Sequence, residues 1–209
     1  MMLKEPYANI KNIIFDWGGV ILNIDYSLTS LAFKKLGIQN IDDHFSQLKQ
    51  TPLFDDFETG RLSAGDFRNS IKKHLDEDTT DYQIDMAWSA MLLDTPAQRV
   101  KLLEKVKQQY RIFLLSNTNE IHELFYIPIL DRQLGNGYFF RLFEKVYLSH
   151  KIGMHKPQAS AFNLVIGENQ LKPSETLFID DSPQHIEAAR KNWAGCPPPG
   201  KTAGYTRFV

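Results

Sequence analysis

Four short apolar runs alternate with longer stretches in which apolar residues recur every three or four positions. Ile13, Ile14 and Phe15 lead directly into Asp16, and Tyr110 to Leu115 leads into Ser116. Val146, Tyr147 and Leu148 end at Ser149-His150, and Thr176 to Ile179 ends at Asp180-Asp181. Runs of this length, rich in β-branched and aromatic residues, suit strands buried on both faces of a parallel sheet. Between them the spacing predicts helices. Asp94-Thr95-Pro96 opens one that carries Val100, Leu103, Val106 and Lys107, with proline just inside its first turn. Asn119 to Leu130, Ala159 to Ile166 and Pro183 to Lys191 are predicted as three more. Strands alternating with helices imply βαβ units, so the expected fold class is α/β with a doubly wound parallel sheet.

The first crossover is much longer than a single helix. Leu28, Leu31, Ala32 and Leu36 recur at helical spacing until Gly37 stops the pattern. Thr51-Pro52 and Glu58-Thr59-Gly60-Arg61 read as polar breaks, and Ser63-Ala64-Gly65-Asp66 as the start of a helix carrying Phe67, Ile71 and Leu75. Residues 23–91 are therefore read as a helical cap inserted after strand one, leaving 1–22 and 92–209 as the α/β core. The cap aromatics Phe54, Phe57 and Trp88 are read as cap core, with a substrate wall as the alternative. Residues 1–10 read as a loose extension. After the last helix comes Trp193-Ala194-Gly195-Cys196-Pro197-Pro198-Pro199-Gly200-Lys201. A triple proline cannot join a sheet interior, so we expect an altered end that leaves one sheet edge short; a mass spectrum giving a different tail would support this.

Composition narrows the class without naming a reaction. A 43% hydrophobic fraction in 209 residues supplies a real core and argues against disorder. A net charge of −1 gives no electrostatic footprint for nucleic acid or an anionic membrane. The one cysteine, Cys196, excludes an intramolecular disulfide and a cysteine-based zinc site. No apolar stretch approaches membrane-spanning length and no signal-peptide core precedes the first strand. The expectation is a soluble cytoplasmic protein; its oligomeric state is not readable.

The chemistry-bearing residues sit where the apolar runs end. Asp16 is followed by Gly18 and Gly19, an acid and a tight turn at the place where open α/β sheets bind ligands. Alone, this stretch is equally a capping acid and a turn. Three more stretches change that: Leu114-Leu115-Ser116-Asn117-Thr118-Asn119, then His155-Lys156-Pro157 after Gly153, then Leu177-Phe178-Ile179-Asp180-Asp181-Ser182. This order of acid, hydroxyl and amide, lysine and acidic pair resembles the haloacid dehalogenase-like hydrolase superfamily over most of the chain. Within it the Phe-Asp-x-Gly-x-Val and Leu-Ser-Asn-Thr-Asn patterns are most similar to the bacterial sugar-phosphatase branch acting on glucose 1-phosphate.

The resemblance implies an Mg²⁺-dependent phosphatase of a small phosphate ester, with Asp16 as the nucleophile that forms an aspartyl-phosphate. Asp16, Asp180 and Asp181 would converge, and three carboxylates cannot share a small site without a cation. An oxygen-rich cluster suits Mg²⁺. Asp16, the Gly18 carbonyl and Asp181 are the expected direct ligands, with Asp180 direct or through water. Ser116 and Asn117 would bind the phosphate, and Lys156 would balance nucleophile and phosphate. One departure stands out: Gly18 occupies the position where phosphatases of this superfamily usually carry a second, proton-donating Asp. Asp25 or a motif histidine (His150, His155) is a candidate substitute, although both histidines read first as loop residues. A sugar 1-phosphate with a better leaving group is the other escape. Two alternatives remain. A 2-haloacid dehalogenase needs no proton donor, but also no metal, and leaves Asp180-Asp181 unexplained. A non-catalytic binding protein of the same fold is favoured by Gly18 and the tail.

Overall fold

A computed structural model describes residues 7–38 and 52–193. The triple proline and the rest of 194–209 lie outside the described residues, as do residues 1–6 and, within the expected cap, 39–51. Four strands form one parallel sheet: β1 Asn12–Phe15, β2 Arg111–Ser116, β3 Lys145–Leu148 and β4 Thr176–Ile179. Their spatial order is β3-β2-β1-β4. The chain thus builds to one side of β1 and then reverses to the other, and that reversal opens a crevice beyond the carboxyl end of β1. Phe15 pairs with Leu114 on one side and Ile179 on the other. Asp16 and Asp180 therefore leave the sheet at the same level.

Successive strand residues face opposite cores, as the uninterrupted apolar runs require. Ile13, Phe15, Ile112 and Leu114 pack with Val100 and Leu103 of helix α5 (Ala97–Lys107) and Tyr126 and Leu130 of α6 (Glu120–Leu134). Ile14, Phe113, Leu115, Tyr147 and Phe178 pack with Phe162 and Val165 of α9 (Ala159–Glu168), Ala189 of α10 (Pro183–Asn192), and Trp193. Each such buried Ile, Leu or Phe contributes roughly 1.5–3 kcal/mol. Pro96 caps α5 from just outside rather than sitting in its first turn. Helix α6 runs past Pro128 to Leu134, beyond the predicted end at Leu130, because Leu130 and Leu134 are both drawn onto the core. Two short helices, α7 (Tyr138–Arg141) and α8 (Ser149–Ile152), flank β3.

Between β1 and β2 lie α1 (Tyr26–Lys35), α2 (Leu53–Glu58), α3 (Ala64–Lys72) and α4 (Asp81–Ser89). They share a separate apolar cluster of Phe33, Phe57, Phe67, Ile71, Ile84 and Trp88, to which α6 adds Ile121. Local signals start these helices. Ser63 accepts from Asp66 N–H, and Thr80 with Gln83 forms a reciprocal capping box. The face of α1 matches the predicted stripe only in part, through Ala32 and Leu36, which pack on this cluster. Thr29 and Phe33 are its buried residues, while Leu31 is 51% exposed. Phe33, the largest apolar side chain of this helix, sets its rotation. Chain entry and exit run side by side: Ile24 bridges Leu92, Asn23 N–H donates to Asp94 O, and Leu93 N–H to Asn23 O. No described helix is long and apolar enough to cross a membrane.

Candidate active site

The residue that organises the site is Lys156. It follows the turn after α8, its side chain has no exposed surface, and its Nζ lies 2.8 Å from Asp16 Oδ1 and 2.6 Å from Asp180 Oδ2. Its backbone is clamped by Asn117, whose side-chain Oδ1 accepts from Lys156 N–H at 2.8 Å and whose Nδ2 donates to Lys156 O at 2.7 Å. The end of β2 thereby fixes a lysine from a loop 39 residues away. Burying an ammonium is costly unless it is paired and hydrogen-bonded. Burial works against the charge of Lys156, but Asp16 and Asp180 outweigh it and hold the lysine above its ordinary range.

Asp180 has each oxygen occupied. Oδ1 accepts from Ser182 N–H at 2.8 Å and lies 2.9 Å from His185 Nδ1, and Oδ2 receives Lys156. Burial opposes its ionisation, yet His185 and Lys156 keep it below the usual carboxylate range. Asp16 is different. Its backbone N–H is tied to Ile179 O at 2.8 Å, but its side chain has one ionic partner. Burial, against the pull of Lys156, pushes it up to about 6. Asp181, at the mouth of the cluster, is raised by partial desolvation and by the neighbouring Asp180. An oxygen from each of the three aspartates falls within 4.8 Å of the others. One lysine cannot neutralise three converging carboxylates, so this hard-oxygen set fits a divalent cation. Gly19 makes the fit possible. It adopts φ +76°, and a Cβ there would lie 2.1 Å from Asp181 Oδ2.

Ser116 is buried and faces a cavity of about 560 Å³ that also reaches Gly18 and Asn117. The opposite wall comes from the helices between β1 and β2: Tyr26, Thr29, Phe54, Glu58 and Trp88. Phe57 is core, stacked on Phe67 with centroids 4.1 Å apart. Phe54 and Trp88, stacked at 5.4 Å, are both core and wall. A neutral network joins this wall to α6. His122 Nε2 lies 3.1 Å from Trp88 O, which also accepts from Thr29 Oγ1, and His122 Nδ1 lies 3.2 Å from Asn119 Nδ2. Asn119 Oδ1 accepts from His122 N–H and Trp88 Nε1. These partners are consistent only with an Nε2–H imidazole, and burial holds His122 down to about 4.

Of the residues predicted from sequence, the structure brings Asp16, Lys156, Asp180 and Asp181 into one cluster and places Gly18, Ser116 and Asn117 on the cavity wall, with Asn117 bonded to Lys156. The candidate substitutes for the missing acid go elsewhere. Asp25 is exposed and caps α1 through Ser27 N–H and Oγ. His150 pairs with Glu123 at 2.8 Å, and His155 Nε2 lies 2.6 Å from Asp55. Sequence reasoning missed His185, Tyr26 and Glu58. His185 had a legible signal, one turn beyond Asp180 in a helix opening. Glu58 looked like part of a polar break.

A carboxylate–lysine centre at the switch point of a parallel sheet, roofed by helices, defines an α/β enzyme class. The family model of haloacid dehalogenase-like hydrolases matches residues 10–192, and the chain belongs to that family. A D-ribitol-5-phosphate phosphatase from Bacteroides thetaiotaomicron is 32% identical over 185 residues, covering 87% of this chain and 88% of that protein. A haloacid dehalogenase family enzyme from the same organism, solved with magnesium and inorganic phosphate, superimposes with a TM-score of 0.78 at 35% identity. That match covers 88% of this chain and 90% of the other. A hydrolase of the same family from Porphyromonas gingivalis gives a TM-score of 0.77 at 32% identity, covering 89% of each chain.

Proposed function

We propose that this protein is an Mg²⁺-dependent phosphatase of small phosphate esters, of the sugar or sugar-alcohol phosphate class, acting through an aspartyl-phosphate on Asp16. The observation that carries the reading is the buried Lys156, held by Asn117 and shared between Asp16 and Asp180. It leaves one oxygen of Asp16 free of ion pairs, directly before Trp17 and Gly18, which line the cavity with Ser116. The ribitol-phosphate phosphatase relative and the magnesium–phosphate complex of the Bacteroides thetaiotaomicron family enzyme support the substrate class and the cation. Such substrates are metabolites of the cell interior, which favours a cytoplasmic setting without nucleic-acid or membrane partners.

In this reading the Asp16 carboxylate attacks phosphorus in line with the departing ester oxygen, and water later hydrolyses the acyl phosphate. Ser116 Oγ and the Asn117 backbone N–H hold the phosphoryl oxygens, since the Asn117 side chain is committed to Lys156. Lys156 offsets the charge of nucleophile and phosphate as a fixed ammonium. Asp16, the Gly18 carbonyl and Asp181 would hold Mg²⁺, which would supply the remaining positive charge against the phosphate. Asp180, saturated by Ser182, His185 and Lys156, anchors the lysine and would reach the cation only through water. Residues 23–91 act as a cap, and its wall selects the alcohol.

The test is phosphate release from a panel of pentitol, pentose and hexose phosphates, with Mg²⁺ and with a chelator, for the wild type and Asp16→Asn. Expected is metal-dependent turnover that falls on the order of 10⁴-fold or more in the variant. Chelator-resistant turnover of 2-haloacids, or substrate binding without turnover, would overturn the reading.

A further inference from the structure

In this reading of the reaction one proton has no donor. When the P–O bond to a sugar alcohol breaks, the departing oxygen needs a proton, and Gly18 has no side chain to supply one. The position is not merely empty. A Cβ at Gly18 would lie 2.4 Å from Ile24 Cδ1, so hydrocarbon already fills the space into which an acid there would project. The proton has to come from another wall.

Few groups on the cavity wall can serve. His122 is held neutral, with both ring nitrogens engaged in the network around Trp88 and Asn119. Tyr26 has its phenol raised by burial and by Asp181, Asp16 and Glu58, and Tyr126, raised by burial, is engaged with Thr95 Oγ1 at 3.1 Å, which makes both poor acids. Asp55 is taken by His155 at 2.6 Å and by Arg61 at 3.0 Å. Glu58 remains. It ends α2, lines the cavity, and its carboxyl makes no hydrogen bond or ion pair with another described residue. Its electrostatic neighbours are His155, Asp55, His185 and Lys156, the last of them the partner of Asp16. Its segment is pinned to the core at two points. Asp55 reaches His155, and the turn at Gly60 (φ +69°) lies so close to α8 that a Cβ there would sit 2.2 Å from His150 O.

We propose that Glu58, a cap residue, is the general acid and base that this site lacks at Gly18. The assignment rests on the phosphatase reading. As Asp16 Oδ bonds to phosphorus and the P–O ester bond breaks, the bonding pair goes to the leaving oxygen, which takes the Glu58 proton and departs as the alcohol. The Glu58 carboxylate then accepts a proton from the water whose oxygen attacks the phosphorus of phospho-Asp16. The bond between phosphorus and Asp16 breaks, inorganic phosphate leaves, and Glu58 is protonated again. Burial, which raises Glu58 above an ordinary glutamate, suits the first of these roles.

The experiment compares first-turnover release of the alcohol from a pentitol phosphate and from p-nitrophenyl phosphate, whose leaving group departs without a proton, in wild type, Glu58→Gln and Glu58→Asp. Expected for Glu58→Gln is a fall on the pentitol phosphate of about 10²–10⁴-fold, with a far smaller fall on the nitrophenyl ester. Phospho-Asp16 should accumulate, the basic limb of the kcat profile should disappear, and Glu58→Asp should recover part of the rate. An active wild type whose Glu58→Gln loses equally on both substrates, or loses nothing, overturns this assignment alone. A wild type inactive on both overturns the phosphatase reading together with it. Thermal unfolding of the variants identifies any general loss of fold.

Discussion

Two buried polar networks, one at the carboxyl ends of the strands and one among the helices that wall the cavity, resolve burial in opposite ways. On the sheet side, Lys156, Asp16, Asp180 and His185 form a charged chain in which Lys156 and Asp180 keep their charges because each faces an opposite one. On the helical side, Thr29, Trp88, Asn119 and His122 form a neutral chain, in which the Thr29 hydroxyl, the Trp88 indole and the His122 ring each donate to an acceptor. Burial alone does not decide the state of a group. The partners do. The charged chain has ionic groups that can do work on a phosphate, whereas the neutral one holds α4 against α6 without adding charge to the crevice.

The sharpest way to break the contrast is Lys156→Met, which leaves two buried carboxylates without their shared cation. A stability loss of about 3–5 kcal/mol in urea unfolding is expected, with activity abolished. A loss under about 1 kcal/mol would mean the pairing behaves like an exposed ion pair. Next is Gly19→Ala, which combines an unfavourable positive φ with a Cβ 2.1 Å from the Asp181 carboxylate. We expect a folded protein whose Mg²⁺ affinity falls about 10–100-fold, as titration calorimetry would read it. Unchanged affinity would remove Asp181 from the ligand set.

The smallest effect tests the neutral network. His122 is held down to about 4 in the folded protein, against an ordinary value of 6.5. A depressed folded pKa means the unfolded chain binds the proton more readily. The stability it contributes is therefore full above about pH 6.5 and is lost as pH falls toward 4. Between pH 7 and pH 5 this amounts to about 1–2 kcal/mol. His122→Gln should flatten that part of the wild-type dependence in urea midpoints at the two pH values. Equal slopes would show that His122 titrates normally.

Much of this architecture was written in local pattern. Apolar runs ending in Asp16, Ser116 and Asp180 declare buried parallel strands with chemistry at their carboxyl ends, because a strand buried on both faces leaves polar side chains nowhere else to go. Ser63 and Asn119 mark helix starts through bonds closed within one turn. Other features were out of reach. That α1 buries Thr29 and Phe33 and leaves Leu31 outside depends on which neighbours it meets. Lys156 reads as a surface lysine until Asn117 and two aspartates from other strands close around it. Glu58 joins the site only because the segment after β1 folds back over the crevice and is pinned at His150 and His155. Periodicity and capping are set by neighbours a few residues apart and can be read from the chain. The charge state of a lysine and the placement of the Glu58 carboxylate are set by groups tens of residues away, and only the tertiary fold brings those together.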